Sequence, residues 1–280
     1  MNFLLIAVIV LGLIGLISAV ILFGASKKFA VKEDERLAKV QEVLPGANCG
    51  GCGFPGCSGF ADACVKGADA GSIDGLLCSV GGNDCMVKVA DILGMTATQV
   101  EKKVAVVRCN GTCEKRPQIA FYDGRQTCAN INACGVGETG CGYGCLGCGD
   151  CVTVCTQDAI TINTETGLPE VDEDKCGACG ACTIACPRNI IEIRKRGVKD
   201  RRVWVSCVNK DKGPVAKNNC TAACIGCSLC VKECAFDAIE VKDNCSYIDA
   251  EKCRLCRKCV EVCPTKAIKT ANFPIKIIDN

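Results

Sequence analysis

Cysteine is the residue type in this sequence that could bind a metal cofactor, and it recurs at one spacing. Four runs between residues 145 and 263 follow the pattern C-x2-C-x2-C-x3-C. Three thiolates at this spacing bind one iron–sulfur cube, and the fourth binds the neighbouring cube. We therefore expect four [4Fe–4S] clusters in two pairs. The predicted ligand sets, each with its crossed fourth ligand last, are Cys145/Cys148/Cys151/Cys186, Cys176/Cys179/Cys182/Cys155, Cys224/Cys227/Cys230/Cys263 and Cys253/Cys256/Cys259/Cys234.

The composition favours bound clusters over a disulfide scaffold. The 280 residues include 30 cysteines, no histidine and only 4% aromatic residues. Such a thin apolar core predicts that clusters supply much of the folding free energy. Disulfides do not persist in a reducing cytosol. Zinc sites also use C-x2-C pairs, but zinc does not explain the third and fourth cysteine of each run. A structural zinc or disulfide protein is the remaining alternative without redox chemistry.

A separate cysteine pattern precedes the four runs. Cys49, Cys52 and Cys57 lie on a loop rich in glycine and proline, where small residues let the backbone pass close to a cofactor. Cys57 is expected to begin a short helix, and Cys78 to return as the fourth ligand. We predict one further [4Fe–4S] cluster here, which makes five. The two remaining cysteines of this segment, Cys64 and Cys85, are interpreted as structural thiols.

The segment 106–141 suggests a sixth cluster through an internal repeat. The spacing Cys128-x12-Cys141-x3-Cys145 returns as Cys207-x12-Cys220-x3-Cys224. In the first copy, the expected ligands are Cys109, Cys113, Cys128 and Cys141. No matching pair precedes Cys207 in the second copy. The sequence therefore assigns no role to Cys134, Cys207, Cys220 or Cys245.

The N-terminal residues predict a membrane anchor. Residues Phe3 to Gly24 carry no charge, and about 20 apolar residues span a bilayer. Lys27, Lys28 and Lys32 follow, so the positive-inside rule places the rest of the chain in the cytoplasm. We expect a single pass of the cell's inner membrane with the N-terminus outside. Residues 31–44 predict an amphipathic helix that ends at Pro45-Gly46.

We expect an α+β fold. Short strands are predicted at 159–162, 190–193, 203–205, 238–241 and 267–269, and helices over 84–104. The predicted domains are the anchor (1–25), a linker helix (26–45), an N-terminal 4Fe–4S domain (46–105), a Cys-rich insert (106–141), a dicluster ferredoxin-like domain (142–200), a connecting segment (201–221) and a second such domain (222–280).

Other motifs do not indicate further cofactors. Three G-x-G-x-x-G matches are interleaved with ligand cysteines and lack the βαβ context of a dinucleotide site. We expect no flavin, nucleotide, nucleic acid or catalytic residue. A basic hairpin is predicted between the ferredoxin pairs, either as a solvated turn or as a dock for an acidic electron carrier. Its residues are Arg194, Lys195, Arg196, Arg201 and Arg202.

Together these features resemble the B component of the Rnf complex, the membrane-bound ferredoxin:NAD+ oxidoreductase of anaerobic bacteria. The resemblance covers essentially the whole chain. It rests on the apolar N-terminus, on Leu44-Pro-Gly-Ala-Asn-Cys49-Gly-Gly-Cys52-Gly-Phe-Pro-Gly-Cys57, on Cys78-x-x-Gly-Gly and on the tandem ferredoxin runs. The segment Cys109-Asn-Gly-Thr-Cys113 and the second ferredoxin pair resemble the longer, clostridial-type form.

The resemblance implies a role as an electron-transfer subunit without its own catalytic site. Such a subunit takes electrons from soluble reduced ferredoxin and passes them to membrane redox subunits. Other subunits carry the flavin and NAD chemistry, and the electron flow drives sodium or proton export. The alternative is a ferredoxin-like subunit of another anaerobic redox enzyme, a hydrogenase or dehydrogenase.

Overall fold

The structure is a computed structural model that describes residues 2–28, 34–96 and 101–274. The first part of the predicted linker helix, with Lys32, lies outside these residues. Eight short strands and ten α-helices are described, so the expected α+β class agrees with the structure. The helices are α1 (Asn2–Lys28), α2 (Glu35–Val43), α3 (Cys57–Asp69), α4 (Gly82–Leu93), α5 (Cys128–Cys134), α6 (Asp150–Thr153), α7 (Ala181–Ala185), α8 (Gly213–Asn219), α9 (Leu229–Lys232) and α10 (Lys258–Glu261).

Helix α1 is a single 27-residue helix. Its large apolar side chains are exposed; Leu11, for example, is 70% exposed. Among the described residues, however, no helix combines the length and the hydropathy that crossing a membrane requires. The predicted membrane anchor is therefore not confirmed by the structure.

The N-terminal module, residues 34–94, packs three helices around a small core. The carboxylate of Asp34 caps α2 by accepting a hydrogen bond of 2.9 Å from the backbone N–H of Arg36. Val40, Phe60 and Val89 are almost fully buried where α2, α3 and α4 meet. Helix α4 ends at Gly94, whose left-handed φ of 67° suits glycine. This small core places the loop that carries Cys49 and Cys52 at one end of the module.

The rest of the chain contains two copies of one strand arrangement. In the first ferredoxin-like unit, β1 (Lys103–Val107) pairs antiparallel with β4 (Ile191–Lys195), and β2 (Ile160–Asn163) pairs with β3 (Leu168–Val171). In the second unit, β5 (Arg202–Val205) pairs with β8 (Ile268–Ala271), and β6 (Ile239–Lys242) pairs with β7 (Cys245–Ile248). Each unit therefore joins its first strand to its last, and it places an inner hairpin between the two cysteine runs.

The strand pairing changes the predicted domain boundaries. The five predicted strands correspond to β2, β4, β5, β6 and β8, whereas β1, β3 and β7 were not expected. The predicted boundary between 105 and 106 falls inside β1, and the first two residues of β1 were predicted as helix. Strand β5 lies in the predicted connecting segment but belongs to the second unit. The physical reason is long-range pairing: each first strand is stabilised by a partner that lies far away in the sequence.

Candidate metal centres

The four cysteine runs share one local backbone geometry. In every run the residue after the second cysteine has a left-handed conformation and caps a helix of four or five residues. These residues are Gly149 (φ 84°), Gly180 (φ 83°), Ser228 (φ 59°) and Arg257 (φ 63°). Glycine adopts this conformation readily, and serine and arginine adopt it at some cost. The reversal carries the third cysteine of each run into the interior on helices α6, α7, α9 and α10.

In the first unit the structure brings the fourth cysteine of one run to the other run. Burial raises the pKa of the Cys182 thiol to about 12, and four neighbouring thiols raise it further: Cys176, Cys179, Cys151 and Cys155. Cys155 therefore lies beside the second run. In turn the Cys186 thiol, from the second run, lies close enough to Cys151 of the first run to interact with it electrostatically. This proximity is the arrangement expected for crossed ligands.

The second unit repeats the arrangement. Burial raises the pKa of Cys259 to about 12, with further contributions from Cys253, Cys256, Cys230 and Cys234. Burial also raises the pKa of Cys230, and Cys263 is among its neighbouring thiols. Each run is thus close to the last cysteine of the other run.

The second cysteine of each run differs in exposure between the two units. Cys227 and Cys256 are exposed in the second unit, whereas Cys148 and Cys179 are half-buried at the equivalent positions of the first. Cys227 still lies near its predicted set, because its thiol is close enough to the buried Cys230 to interact with it electrostatically. An exposed thiol lacks the protected setting of the other predicted ligands, so the assignment of Cys227 as a ligand stays a prediction. A cluster bound through it would reach the protein surface at this corner.

Backbone amides donate hydrogen bonds to several of these sulfurs. Gly147 N donates to Cys145 Sγ at 3.3 Å, and Ala159 N donates to Cys155 Sγ at 3.3 Å. Strand β1 contributes the N–H of Ala105 to Cys176 Sγ at 3.5 Å. Such donors stabilise thiolate charge and tune the potential of a bound cluster. The donor set, thiols with amide hydrogen bonds in tight loops, fits [4Fe–4S] clusters.

The N-terminal module places its predicted ligands close to two buried thiols that we interpret as structural, Cys64 and Cys85. Cys57 begins α3, and the side-chain oxygen of Asn48 accepts a hydrogen bond of 2.8 Å from the Cys57 N–H. A hydrogen bond with Cys85 lowers the pKa of Cys78 to about 6. Burial raises the pKa of Cys64 to about 11, with Cys52 and Cys78 nearby. The structural interpretation of Cys64 and Cys85 thus gains a specific role, which is support beneath the predicted ligands.

The N-terminal module touches the first ferredoxin-like unit through two glycines. A β-carbon at Gly51 would lie 2.7 Å from the Cα atom of Cys179, and one at Gly177 would lie 2.7 Å from the Cα atom of Val80. Cys49 is also a charged neighbour of Cys179. Two predicted cluster-binding loops are therefore in direct contact.

The part of the chain that the structure describes holds no group of three or more His, Cys, Asp or Glu side chains placed to bind a single metal ion. A [4Fe–4S] cube offers a separate iron to each of four thiolates, so its ligands surround a cluster and not one point.

The structure does not assemble the four cysteines predicted for the sixth cluster. The Cys113 thiol is exposed and donates a hydrogen bond of 3.5 Å to Thr166 O. Cys128 lies beside Cys148, to which its thiol is hydrogen-bonded. The other two members line a small cavity together with two cysteines that the sequence left unassigned; the four are Cys109, Cys141, Cys207 and Cys220. The structure therefore does not bring the predicted set together, and the ligands of a sixth cluster remain a prediction.

The basic residues do not form the free docking surface that the sequence suggested. Arg194 and Arg202 are each only 5% exposed, and they pair with Glu192 and Glu173. Arg196 is also largely buried and lies 3.1 Å from Asp200.

The two other basic residues are occupied as well. Lys195 forms ion pairs with Glu101 at 2.5 Å and with Glu251 at 2.7 Å. The Arg201 guanidinium lies 5.6 Å from the ring centre of Phe273. The predicted hairpin is also absent from this described segment, because β4 and β5 pair with β1 and β8 and not with each other. Arg194, Lys195 and Arg202 contact the other unit. Because Arg196 and Arg201 are also paired, we do not retain the five as docking residues.

Comparison with known proteins agrees with this geometry. Three iron–sulfur families match: an Fe-S cluster family at residues 44–71, the 4Fe-4S dicluster domain at 144–190 and the 4Fe-4S binding domain at 246–269. The matches cover residues 44–71 of the N-terminal module, both runs of the first unit and the fourth run. They support [4Fe–4S] clusters in this chain without giving their number.

Three curated relatives match nearly the whole chain, and each is the B component of its complex. The relative from the Na(+)-translocating ferredoxin:NAD(+) oxidoreductase complex of Acetobacterium woodii is 48% identical over 96% of this chain and 78% of the relative. The relative from the ion-translocating oxidoreductase complex of Methanosarcina acetivorans is 38% identical over 94% of this chain and 97% of the relative. The relative from the proton-translocating ferredoxin:NAD(+) oxidoreductase complex of Clostridium ljungdahlii is 38% identical over 96% and 93%. Because it has these iron–sulfur domains and these relatives, the chain belongs to the family of Rnf B components and is an iron–sulfur electron-transfer subunit of an oxidoreductase complex.

Proposed function

We propose that this chain accepts electrons from reduced ferredoxin and relays them to the membrane redox subunits of an ion-translocating ferredoxin:NAD+ oxidoreductase. The names of the relatives support the donor, the acceptor and the assembly into a complex. The observation that carries the proposal is the contact between cluster-binding loops, in which Gly51 of the N-terminal module lies against Cys179 of the first unit. Neighbouring cluster sites in contact are what a continuous electron path requires.

The protein's part in this chemistry is to hold carriers in order. A bound [4Fe–4S] cluster exchanges one electron at a time, and no bond to a substrate forms or breaks. The left-handed residues before α6, α7, α9 and α10 orient the thiols, and the amides at Cys145, Cys155 and Cys176 stabilise thiolate charge. Burial of the third cysteine in each run keeps water from the sulfur.

Helix α1 is proposed as the membrane anchor. Its residues Phe3 to Gly24 carry no charge, and the large apolar side chains described between Ile6 and Phe23 are about half to two-thirds exposed. Lysines at 27 and 28 follow, which favours a cytoplasmic location for the rest of the chain. On this arrangement the cluster of the N-terminal module is nearest the membrane and serves as the exit, and the ferredoxin-like units receive the electrons.

The test replaces one ligand of the proposed exit cluster in the assembled complex. With Cys52→Ala, NAD+ reduction by reduced ferredoxin should fall at least about tenfold, a change of about 1.4 kcal/mol in the barrier. The ferredoxin-like clusters should still lose their visible absorbance when ferredoxin is added. Cys134→Ala, at an exposed thiol of α5, is the matched control and should change neither measurement.

Two results would contradict the proposal. Unchanged NAD+ reduction in Cys52→Ala would remove the N-terminal module from the path. Failure of reduced ferredoxin to reduce any cluster in the wild-type complex would remove ferredoxin as the donor. The anchor is tested separately, with a chain that begins at residue 34 and is produced without the other subunits. This chain should leave the membrane fraction. If it still sediments with membranes, α1 is not the anchor.

A further inference from the structure

Four buried or half-buried cysteines meet in a small cavity between the two ferredoxin-like units. They are Cys109, Cys141, Cys207 and Cys220. Their closeness is visible at Gly111, where a β-carbon would lie 3.3 Å from Cys220 Sγ and 3.7 Å from Cys109 Sγ. Burial raises the pKa of Cys220 to about 11, and the other three thiols lie close enough to raise it further. All four sulfurs are thus grouped around one space.

The two units contribute equivalent pairs to this cavity. Cys109 follows the end of β1 by two residues, and Cys207 follows the end of β5 by two residues. Cys141 and Cys220 each precede the first cysteine of their unit's first run by four residues. The duplicated fold therefore places two cysteines from each copy opposite each other. Cys128 has no such relation, because it begins α5 in a segment between Cys109 and Cys141 that is longer than the segment between Cys207 and Cys220.

Polar groups around the cavity favour negative charge at its centre. Asn209 is 1% exposed; its side-chain amide donates to Cys141 Sγ at 3.5 Å, and its backbone N–H donates to Cys207 Sγ at 3.5 Å. Arg108 and Arg116 line the cavity, and none of the described carboxylates does. Arg116 is 7% exposed, and its Nε–H is buried without an acceptor among the described protein atoms. A buried, unpartnered donor next to four thiols indicates an acceptor that those atoms do not supply.

We propose that Cys109, Cys141, Cys207 and Cys220 bind a [4Fe–4S] cluster that bridges the two ferredoxin-like units. The Arg116 Nε–H then donates to a sulfur of the cluster or of a ligand.

The site is in contact with a predicted cluster ligand on each side. Cys145 of the first unit donates its backbone N–H to Cys109 Sγ at 3.4 Å. In the second unit, Cys224 is a charged neighbour of Cys207. A cluster here connects the carriers of both units, and single electrons pass through it without proton transfer. This bridging role rests on the proposed function, whereas the presence of the cluster does not.

The test measures metal and sulfide in the anaerobically purified full-length chain. Wild-type protein should contain iron and acid-labile sulfide for six clusters and not five, which is about 24 iron atoms per chain. Cys207→Ser and Cys220→Ser should each lose one cluster's worth, about four iron atoms. Electron paramagnetic resonance after dithionite reduction should show the other clusters unchanged.

Cys113→Ser is the matched control, at an exposed thiol that belongs only to the set predicted from sequence spacing. It should keep the full iron content, whereas loss of one cluster in it would support that set and overturn ours. A wild-type count of five clusters with about one zinc per chain would show a zinc–thiolate site instead, and five clusters without zinc would exclude a metal at this position. If the serine variants do not fold, a wild-type count of five clusters still overturns the proposal, and a count of six together with full iron content in Cys113→Ser still supports it.

The two proposals fail separately. If the six-cluster count holds but reduced ferredoxin does not reduce the chain, the bridging cluster stands and the proposed donor is wrong. If ferredoxin reduces a five-cluster chain, the donor stands and the bridging cluster is wrong.

Discussion

Alanine at Gly51 is expected to separate the N-terminal module from the first ferredoxin-like unit. The added β-carbon would lie 2.7 Å from both Cα and Cβ of Cys179 and 2.8 Å from its carbonyl oxygen. Ordinary contact begins near 3.4 Å, so the two loops must move apart from 2.7 Å by about 0.7 Å. The obstructing atoms belong to the main chain and Cβ of a cluster-binding loop, so no side-chain rotation can relieve the clash.

The cost of this clash sets the size of the effect. Overpacking of a close contact costs about 1–3 kcal/mol, which lowers the ratio of docked to undocked module about 5- to 150-fold. Hydrogen–deuterium exchange of the anaerobic protein should therefore accelerate in residues 49–53 and 176–180 by a factor in that range. The iron content should not change, because no ligand is replaced.

A second variant and a control make the test decisive. Gly177→Ala places its β-carbon 2.7 Å from the Cα atom of Val80 in the same interface, so it should have the same effect. Gly142→Ala meets only the Cγ1 atom of Val136, at 3.7 Å, and should leave exchange in both loops unchanged. Unchanged exchange in both interface variants would refute the contact, and equal acceleration in the control would refute its specificity.

Two further predictions concern ligands and the interface between the ferredoxin-like units. Cys155→Ser should disturb the cluster held by Cys176, Cys179 and Cys182, because Cys155 lies beside Cys182. Mössbauer spectra should show the same cluster altered in Cys155→Ser and in Cys179→Ser, whereas the same cluster altered in Cys155→Ser and in Cys148→Ser would exclude crossed ligands. Arg194→Ala should lower the free energy of unfolding by about 2–3 kcal/mol, because the buried guanidinium donates to Ile248 O at 3.0 Å across the units. Denaturant unfolding measures this change, with Lys199→Ala at an exposed turn as the control. If both variants lose the same free energy of unfolding, Arg194 has no such structural role.

The basic residues show where sequence patterns alone are ambiguous. Arg194, Arg196 and Arg202 form a run of positive charge in the sequence, and such a run is usually solvated. In the structure Arg196 and Arg202 both pair with Glu173, which follows β3, and Arg194 pairs with Glu192 of its own strand while it donates to Ile248 O of the other unit. Burial alone would raise the pKa of Glu173, but hydrogen bonds from Arg202 and Asn272 hold it below the usual value. Pairing between segments distant in sequence decides whether a charge faces solvent.

The sequence by itself determined the local parts of this protein. The cluster-binding runs of cysteine and the helix at Cys57 depend on residues within a few positions of each other, so their spacing predicts them. The family resemblance, which the relatives confirm, also depends on such contiguous motifs. Five of the strands were predictable for the same reason. Local spacing does not predict exposure, however, and so the surface position of Cys227 was not foreseen.

Only the tertiary structure decided how the two copies meet. Strands β1 and β5 find their partners about 90 and 65 residues away, and this long-range pairing places Cys109 opposite Cys207. Spacing in the sequence suggested Cys128 as the counterpart of Cys207, because a longer loop in the first copy hides the true relation. Equivalence between copies is a property of strand pairing and not of residue count, so the cavity of Cys109, Cys141, Cys207 and Cys220 became visible only in the folded chain.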